Sequence, residues 1–230
     1  MSVVGLVLAA GGGRRFGAPK ALVRFAGRTL VDLAVTAVSG CDAVVVVVGA
    51  AGDEVRDAVA GRCSVVENPE WETGMASSLR AGLAAVQAGT VDEVRDTAAG
   101  RRSAAEDPER ETGAESPSRA GLAAVQVDAV VVVTVDTPGV TRAAVERVAA
   151  LAGPDVVARA VYRGVPGHPV LLGRSHWGGV VESARGDAGA RAYLRARDVV
   201  AVECADVAVG SDVDTPEDLA GLVERLGGQG

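Results

Sequence analysis

The sequence predicts an α/β protein with one mostly parallel, doubly wound sheet, covered by helices on both faces, in a single domain over 1–226. Three observations carry this. Unbroken aliphatic runs recur at Val3–Leu8, Ala43–Val48 and Ala129–Val135, and strands that are apolar at every position are buried on both faces. Amphipathic stretches alternate with these runs, as the crossovers between parallel strands require. Hydrophobic residues make up 48% of the 230 and aromatics only 3%, so there is material for a core, and that core must be built from Val, Leu and Ala.

The elements follow in order. Val3–Leu8 reads as a buried strand and 29–38 as a helix. Ala43–Val48 is a second buried strand, followed by a short helix over 53–60. A short strand at 63–66 precedes a helix over 75–86, in which Met75, Leu79, Leu83 and Val86 share one face. Ala129–Val135 is the central strand, followed by a helix at 142–150. Strands at 156–161 and 169–172 flank a turn with the sequence RGVPGH. Helical stretches at 174–184 and 188–195, a strand at 199–204 and a closing helix at 215–226 complete the chain. Pro216 stands in the first turn of that last helix.

One stretch breaks this alternation. Residues 54–87 and 93–126 are a tandem repeat at an offset of 39, identical at 23 of 34 aligned positions. The second copy has lost its large apolar groups: Trp71, Met75 and Leu79 correspond to Arg110, Ala114 and Ser118. Over 90–119 only Val91 and Val94 exceed Ala among the apolar residues, beside eight acidic and five basic ones. Such a segment buries too little surface to offset its ordering entropy. The expectation is a decayed insertion over 88–126, mostly loop, with a helical pattern surviving at 116–126. The alternative is that this surviving helix has replaced the first copy's helix against the sheet.

The net charge of −7 argues against a general coat for nucleic acid or anionic membrane. Cys41, Cys63 and Cys204 are odd in number and widely spaced, which suggests neither a disulfide framework nor a zinc site. The N-terminus lacks a basic residue before its short apolar run, so no signal peptide is expected, and a cytoplasmic protein is.

Ligands of parallel sheets bind beyond the carboxyl ends of the strands. After Leu8 the chain reads AAGGGRRFGAPK, ending at Lys20. Consecutive glycines let backbone N–H groups approach an anion, and Arg14, Arg15 and Lys20 concentrate positive charge in an acidic chain. Of 23 cationic residues, 22 are Arg and Lys20 is the single Lys. The pattern G-x-x-x-x-G-K-[ST] fails, because Gly17 is followed by Ala-Pro-Lys. The pattern G-x-G-x-x-G fails at Phe16.

The loop resembles L-A-A-G-x-[SG]-x-R-[MF]-G-x-x-K of the MobA-like nucleotidyltransferase family, most of all its molybdenum cofactor cytidylyltransferase branch, with Gly13 where Ser is frequent. Five further blocks resemble the same family in order. They are NPEWETGMASSL over 68–79, Asp136-Thr-Pro, Gly164-Val-Pro-Gly-His-Pro169, Gly186-Asp-Ala-Gly-Ala-Arg191 and Asp212-Val-Asp-Thr-Pro-Glu-Asp-Leu219. The resemblance implies a Rossmann-like fold of the nucleotide-diphospho-sugar transferase type.

It also implies roles for individual residues. Ala9, Ala10, Gly11, Gly12, Gly13, Arg15 and Lys20 would hold the triphosphate, with Gly74, Ser77 and Ser78 at the base and ribose. Asp136 and Asp214 would hold Mg²⁺. Arg15, Lys20 and Asp136 would be catalytic. His168, Asp187 and Arg191 would face the acceptor. Plainer readings stay open for several of these. Asp136 could cap the helix near 141, Asp212 or Asp214 could cap the last helix, Trp71 could anchor a capped helix, and His168 could be structural, as His176 is expected to be.

The reaction implied is transfer of CMP from CTP to the terminal phosphate of molybdopterin, with loss of pyrophosphate. A molybdoenzyme or its chaperone is an implied partner. GTP in place of CTP, an NAD(P)H-dependent oxidoreductase, and a non-catalytic cofactor carrier are the alternatives.

Overall fold

A computed structural model describes residues 1–89 and 126–227, with Glu224, Leu226 and Gly227 described by their backbone alone. The insertion expected at 88–126, with its helical pattern at 116–126, falls almost wholly outside the described residues. Seven strands form one sheet in the order β5-β4-β1-β6-β8-β7-β9. They are β1 (Val3–Leu8), β4 (Ala43–Val48), β5 (Ser64–Glu67), β6 (Ala129–Thr134), β7 (Val157–Tyr162), β8 (Val165–Gly173) and β9 (Val200–Glu203). A two-residue ladder of β2 (Arg24–Phe25) and β3 (Arg28–Thr29) stands apart from the sheet. Six of the seven strands share one direction, and β8 runs against both β6 and β7.

The Val-rich runs occupy the centre. Every residue of β1, β4 and β6 is buried, because alternate side chains meet helices on opposite faces. Val3 and Val7 pack with Leu30, Val31 and Val35 of α1 (Leu30–Ala37), Val55 of α2 (Gly52–Ala58) and Val145 of α4 (Arg142–Ala149). Val4, Leu6 and Leu8 pack with Leu79, Leu83 and Val86 of α3 (Met75–Gln87), Trp177 of α5 (Trp177–Ser183) and Leu194 of α6 (Arg191–Arg195). The helix over 75–87 is therefore packed on the sheet, as the first copy's apolar face predicts. Gly82 lets it come close, since a Cβ there would stand 2.5 Å from Leu6 Cδ1.

Helix starts settle two open readings. Thr141 caps α4, its Oγ1 accepting from the Ala144 N–H, so Asp136 does not cap that helix. The last helix, α7 (Pro216–Gly227), is capped by Thr215. Its Oγ1 accepts from the Asp218 N–H, and the Asp218 carboxylate accepts back from the Thr215 N–H. This reciprocal box satisfies the helix start and leaves the carboxylates of Asp212 and Asp214 for other work.

The turn expected over 163–168 is shorter than predicted. Only Arg163 and Gly164 turn, both with positive φ (53° and 82°), as a two-residue hairpin loop requires. β8 already begins at Val165. Pro166 is tolerated there because this end of β8 pairs with β7 alone, the ladder to β6 beginning only at Val170.

Candidate active site

Three strand exits meet at the carboxyl edge of the sheet. β1 leads into the glycine loop, β5 into Asn68, and β6 into Asp136. A fourth segment, 207–213, lies against the β6 exit. The Val213 N–H donates to Asp136 O (2.7 Å), the Val209 N–H to Gly139 O (3.0 Å), and Thr141 Oγ1 to Val207 O (2.9 Å). Gly139 permits this approach, since a Cβ there would sit 2.4 Å from Val209 O. These bonds bring Asp212 and Asp214 beside Asp136.

Two cavities open here. The smaller, about 370 Å³, is lined by Ala10, Gly11–Gly13, Arg15, Lys20, Gly74, Ser78, Asp136, Asp187 and Asp214. The larger, about 770 Å³, is lined by His168, Arg191 and Asp212 together with apolar side chains from the sheet and α3. Leu8, Met75, Thr134 and Asp136 belong to both, so Asp136 stands where the two meet.

The lone lysine lies at the centre of this arrangement. Lys20 Nζ is 2.7 Å from Asp214 Oδ1 and 3.8 Å from Asp136 Oδ2, and its side chain is only 15% exposed. Arg15 Nη1 reaches Asp214 Oδ2 at 3.4 Å from a mostly solvated position. The sequence offers Asp212 only as a helix cap, yet its carboxyl is held above the ordinary range. Partial loss of water is the first cause, and the negative charges of Asp136 and Asp214 are the next, while His168 and Lys20 act in the opposite sense. Three carboxylates crowd around one ammonium.

That crowding fits a divalent cation. The ammonium bridges the two carboxylates expected to hold metal, so a cation already occupies the field they create. Among the described residues no three His, Cys, Asp or Glu side chains form a metal cage of their own. A Mg²⁺-type site of two carboxylates completed by substrate phosphate oxygens needs none.

Other expected residues are placed differently. Ala9 is fully buried in the core and its N–H donates to Val47 O, so it positions the loop without facing either cavity. Gly13 (φ 60°) is required because a Cβ would fall 1.9 Å from Ala18 O. Its freedom folds the loop back on itself, whereas Gly11 faces open space. Ser77 is also turned inward. Its hydroxyl donates within reach of Glu70 O and Gly74 O (both 2.9 Å) and accepts from Asn68 Nδ2 (2.8 Å). Ser78 lines the smaller cavity and is held from behind by the same Asn68 amide at 3.0 Å.

Asn68, only 3% exposed, is the knot that fixes the start of α3, a role that a lone Asn in the sequence does not reveal. Trp71 is indeed an anchor. It packs on Gly12 and Gly49, where a Cβ would come within 3.0 and 2.5 Å of the indole side chain. Asp187, expected at the acceptor, lies instead on the glycine-loop side, packed against Gly74, because the turn at 186–189 crosses over the start of α3.

His168 and Arg191 line the larger cavity as expected. His168 Nδ1 lies 3.2 Å from Val132 O, an acceptor only, so the proton sits on Nδ1 and Nε2 is left for a ligand. Tyr162 donates to His168 O at 2.6 Å, and its ring lies so close on Gly210 that a Cβ there would be 2.1 Å away. Tyr162 thus joins the hairpin to the 207–213 segment. His176 is structural, bonded to Tyr193 Oη and Asp155 O. The cysteines are free thiols; burial pushes Cys41 up to about 12 and Cys63 up to about 11, which makes them poor nucleophiles. Among the described residues, no helix is long and apolar enough to cross a membrane.

Comparison with known proteins agrees with this geometry. The chain is 31% identical over 238 residues to a nicotine blue oxidoreductase of Paenarthrobacter nicotinovorans, covering 96% of each. Among solved structures it resembles Rv0371c of Mycobacterium tuberculosis H37Rv (25% identity, TM-score 0.67, 97% and 98% of the two chains). That protein is also known as a complex with manganese. It resembles equally a nucleotidyl transferase of Methanothermobacter (19% identity, TM-score 0.69, 100% and 99% of the two chains). Residues 5–202 match the MobA-like NTP transferase domain, and with the loop, the paired carboxylates and the fold in agreement, the chain belongs to that family of nucleotidyltransferases.

Proposed function

We propose that the protein transfers CMP from CTP to the terminal phosphate of a molybdopterin-type acceptor and releases pyrophosphate. The observation that carries this reading is the Lys20–Asp136–Asp214 cluster at the junction of two cavities. A nucleotide in the smaller cavity and an acceptor in the larger would present their reacting phosphates to one another beside Asp136. The attacking phosphate is already an anion, so the protein supplies alignment and neutralisation of charge, and no general base is needed.

Asp136 and Asp214 would hold Mg²⁺, which contributes charge stabilisation and a template for both phosphates. Lys20 then exchanges its carboxylate partners for the phosphates, and Arg15, near the mouth, follows the departing pyrophosphate. The resemblance of the L-A-A-G loop to the cytidylyltransferase branch supports CTP as the donor. A panel of the four NTPs with Mg²⁺, read by thermal shift, tests the base: a CTP-selective rise in Tm is expected. Release of pyrophosphate on adding molybdopterin tests the acceptor.

The nicotine blue oxidoreductase relative favours a second reading, because its likeness extends over nearly the whole chain. In that case the larger cavity would take an oxidised, largely apolar molecule and the glycine loop a nicotinamide dinucleotide. Consumption of NADH or NADPH at 340 nm without pyrophosphate release would select it.

A further inference from the structure

The larger cavity contains charge that the fold does not use. Four arginines line it, Arg159, Arg163, Arg191 and Arg225, against two aspartates, Asp136 and Asp212. Arg159 is half-buried and the other three are exposed at the rim, so the wall of the cavity is cationic in a protein of net charge −7. Two of the four are distinctive. Arg159 projects from β7 on the same face as Val157, beneath α6, and its Nε is buried with no hydrogen-bond partner. Arg191, the first residue of α6, also lines the cavity. Neither guanidinium is hydrogen-bonded or ion-paired to any described residue. Both line the same cavity; burial depresses Arg159 from its ordinary value, and the positive charge of Arg191 depresses it further.

A buried donor without a partner and two like charges held together both cost stability. The arrangement is accounted for when an anion supplies the missing acceptors, and planar guanidinium forks match phosphate or carboxylate oxygens.

We infer that Arg159 and Arg191 form an anion subsite, apart from the Asp136–Asp214–Lys20 cluster, and that the acceptor carries an anionic group which docks there while its attacking phosphate lies at Asp136. The inference rests on reading the larger cavity as the acceptor's. It narrows the substrate class to molecules that carry a second anionic group apart from the attacking phosphate, joined to it by a body that can lie on aliphatic side chains. Leu79, Val132, Val170, Leu172 and Leu194 line the same space and suit such a body. The positions also set a length. Val132, Val170 and Arg159 are in register across β6, β8 and β7, two strand spacings or about 10 Å apart. Asp136 lies further along, just beyond the end of β6.

The test uses inorganic phosphate as the probe, so it does not depend on transfer activity. In protein labelled with ¹⁵N-arginine, the Arg159 Nε–H resonance is assigned by its loss in Arg159→Lys. Phosphate without metal is expected to move that resonance in a saturable manner, and Arg191→Met is expected to abolish the movement. Lys20→Met, which empties the loop of its ammonium, is expected to leave it intact. Arg159→Met is expected to melt a few degrees higher than wild type without phosphate, since an unsatisfied donor is gone, and to keep its Tm response to CTP and Mg²⁺. A resonance unmoved by tens of millimolar phosphate overturns the subsite, as does movement that survives Arg191→Met or disappears in Lys20→Met. If the resonance responds while no NTP raises Tm, the subsite stands and the nucleotidyl-transfer reading falls.

Discussion

The two cavities that meet at Asp136 treat charge in opposite ways. In the smaller one, cations and carboxylates are matched within the protein: Lys20 holds Asp136 and Asp214, and Arg15 holds Asp214. In the larger one, Arg159 and Arg191 line the wall with no ion-pair partner among the described residues. The first arrangement tolerates being empty, since its ammonium stands in for the charge that a bound cation brings. The second is complete only with an anion present. On the proposed reading, the metal–nucleotide pocket rests with its central charges paired between turnovers, whereas the acceptor pocket holds its positive charge ready. The contrast also explains how an acidic chain can attract a polyanion: the positive field is local, and the focusing happens inside the cavity.

Substitutions can break this contrast. The largest effect is expected at the shared residue: Asp136→Ala should reduce transfer about 10³-fold and Lys20→Ala about 10²-fold, read as pyrophosphate release. Both variants should keep the wild-type Tm within a few degrees, because these charges are not part of the core. Next comes the knot behind the smaller cavity. Asn68→Ala removes the amide that holds Ser77 and Ser78 and leaves buried hydroxyls short of a partner, at a cost of about 2 kcal/mol. For a chain of this size that lowers Tm by roughly 4–8 °C in a thermal melt, with a raised KM for nucleotide as the start of α3 loosens.

The smallest effect belongs to a matched charge remote from either cavity. Asp32 is held by Arg28 (2.5 Å) and Arg62, and these hydrogen bonds and charges keep its carboxyl below the ordinary 3.8. A depressed carboxyl stabilises the fold above its unfolded value and loses that contribution as pH falls through the folded value. Asp32→Asn should therefore cost about 1 kcal/mol at pH 7 and progressively less as pH falls below the ordinary carboxylate range, as compared by denaturant melts at neutral and acidic pH. Removing the matched Asp32 should destabilise, whereas removing the unmatched Arg159 should stabilise. Equal signs for the two would erase the distinction between matched and unmatched charge.

Much of the architecture is legible in the sequence. β1, β4 and β6 announce themselves because central strands need apolar groups on both faces, and AVVVVV has no other plausible use. The glycine loop and Asp136 follow from their position at strand exits. What stayed hidden depended on direction or on distant contacts. Ser77 and Ser78 are adjacent hydroxyls in the sequence, but only the buried amide of Asn68 decides that one turns in and the other lines a cavity. Asp187 reads as an acceptor residue until the 186–189 turn is seen to cross over α3. The start of β8 lies four residues before the position that the sequence suggests, because Pro166 and Gly167 resemble a turn, and nothing local reveals that this end of the strand is paired on one side only. The Arg159–Arg191 pair joins a strand to a helix start, so no spacing pattern contains it.

The seat of Trp71 on two glycines has an optical consequence. The chain has two tryptophans. Trp177 is 1% exposed, with its indole N–H bonded to Leu172 O, so its emission should be blue-shifted and indifferent to ligands. Trp71 lies partly exposed against Gly12 and lines the smaller cavity. Any molecule that shifts the glycine loop must change the surroundings of that indole. The enzyme thus has a built-in fluorophore beside its glycine loop and a second one that serves as an internal reference.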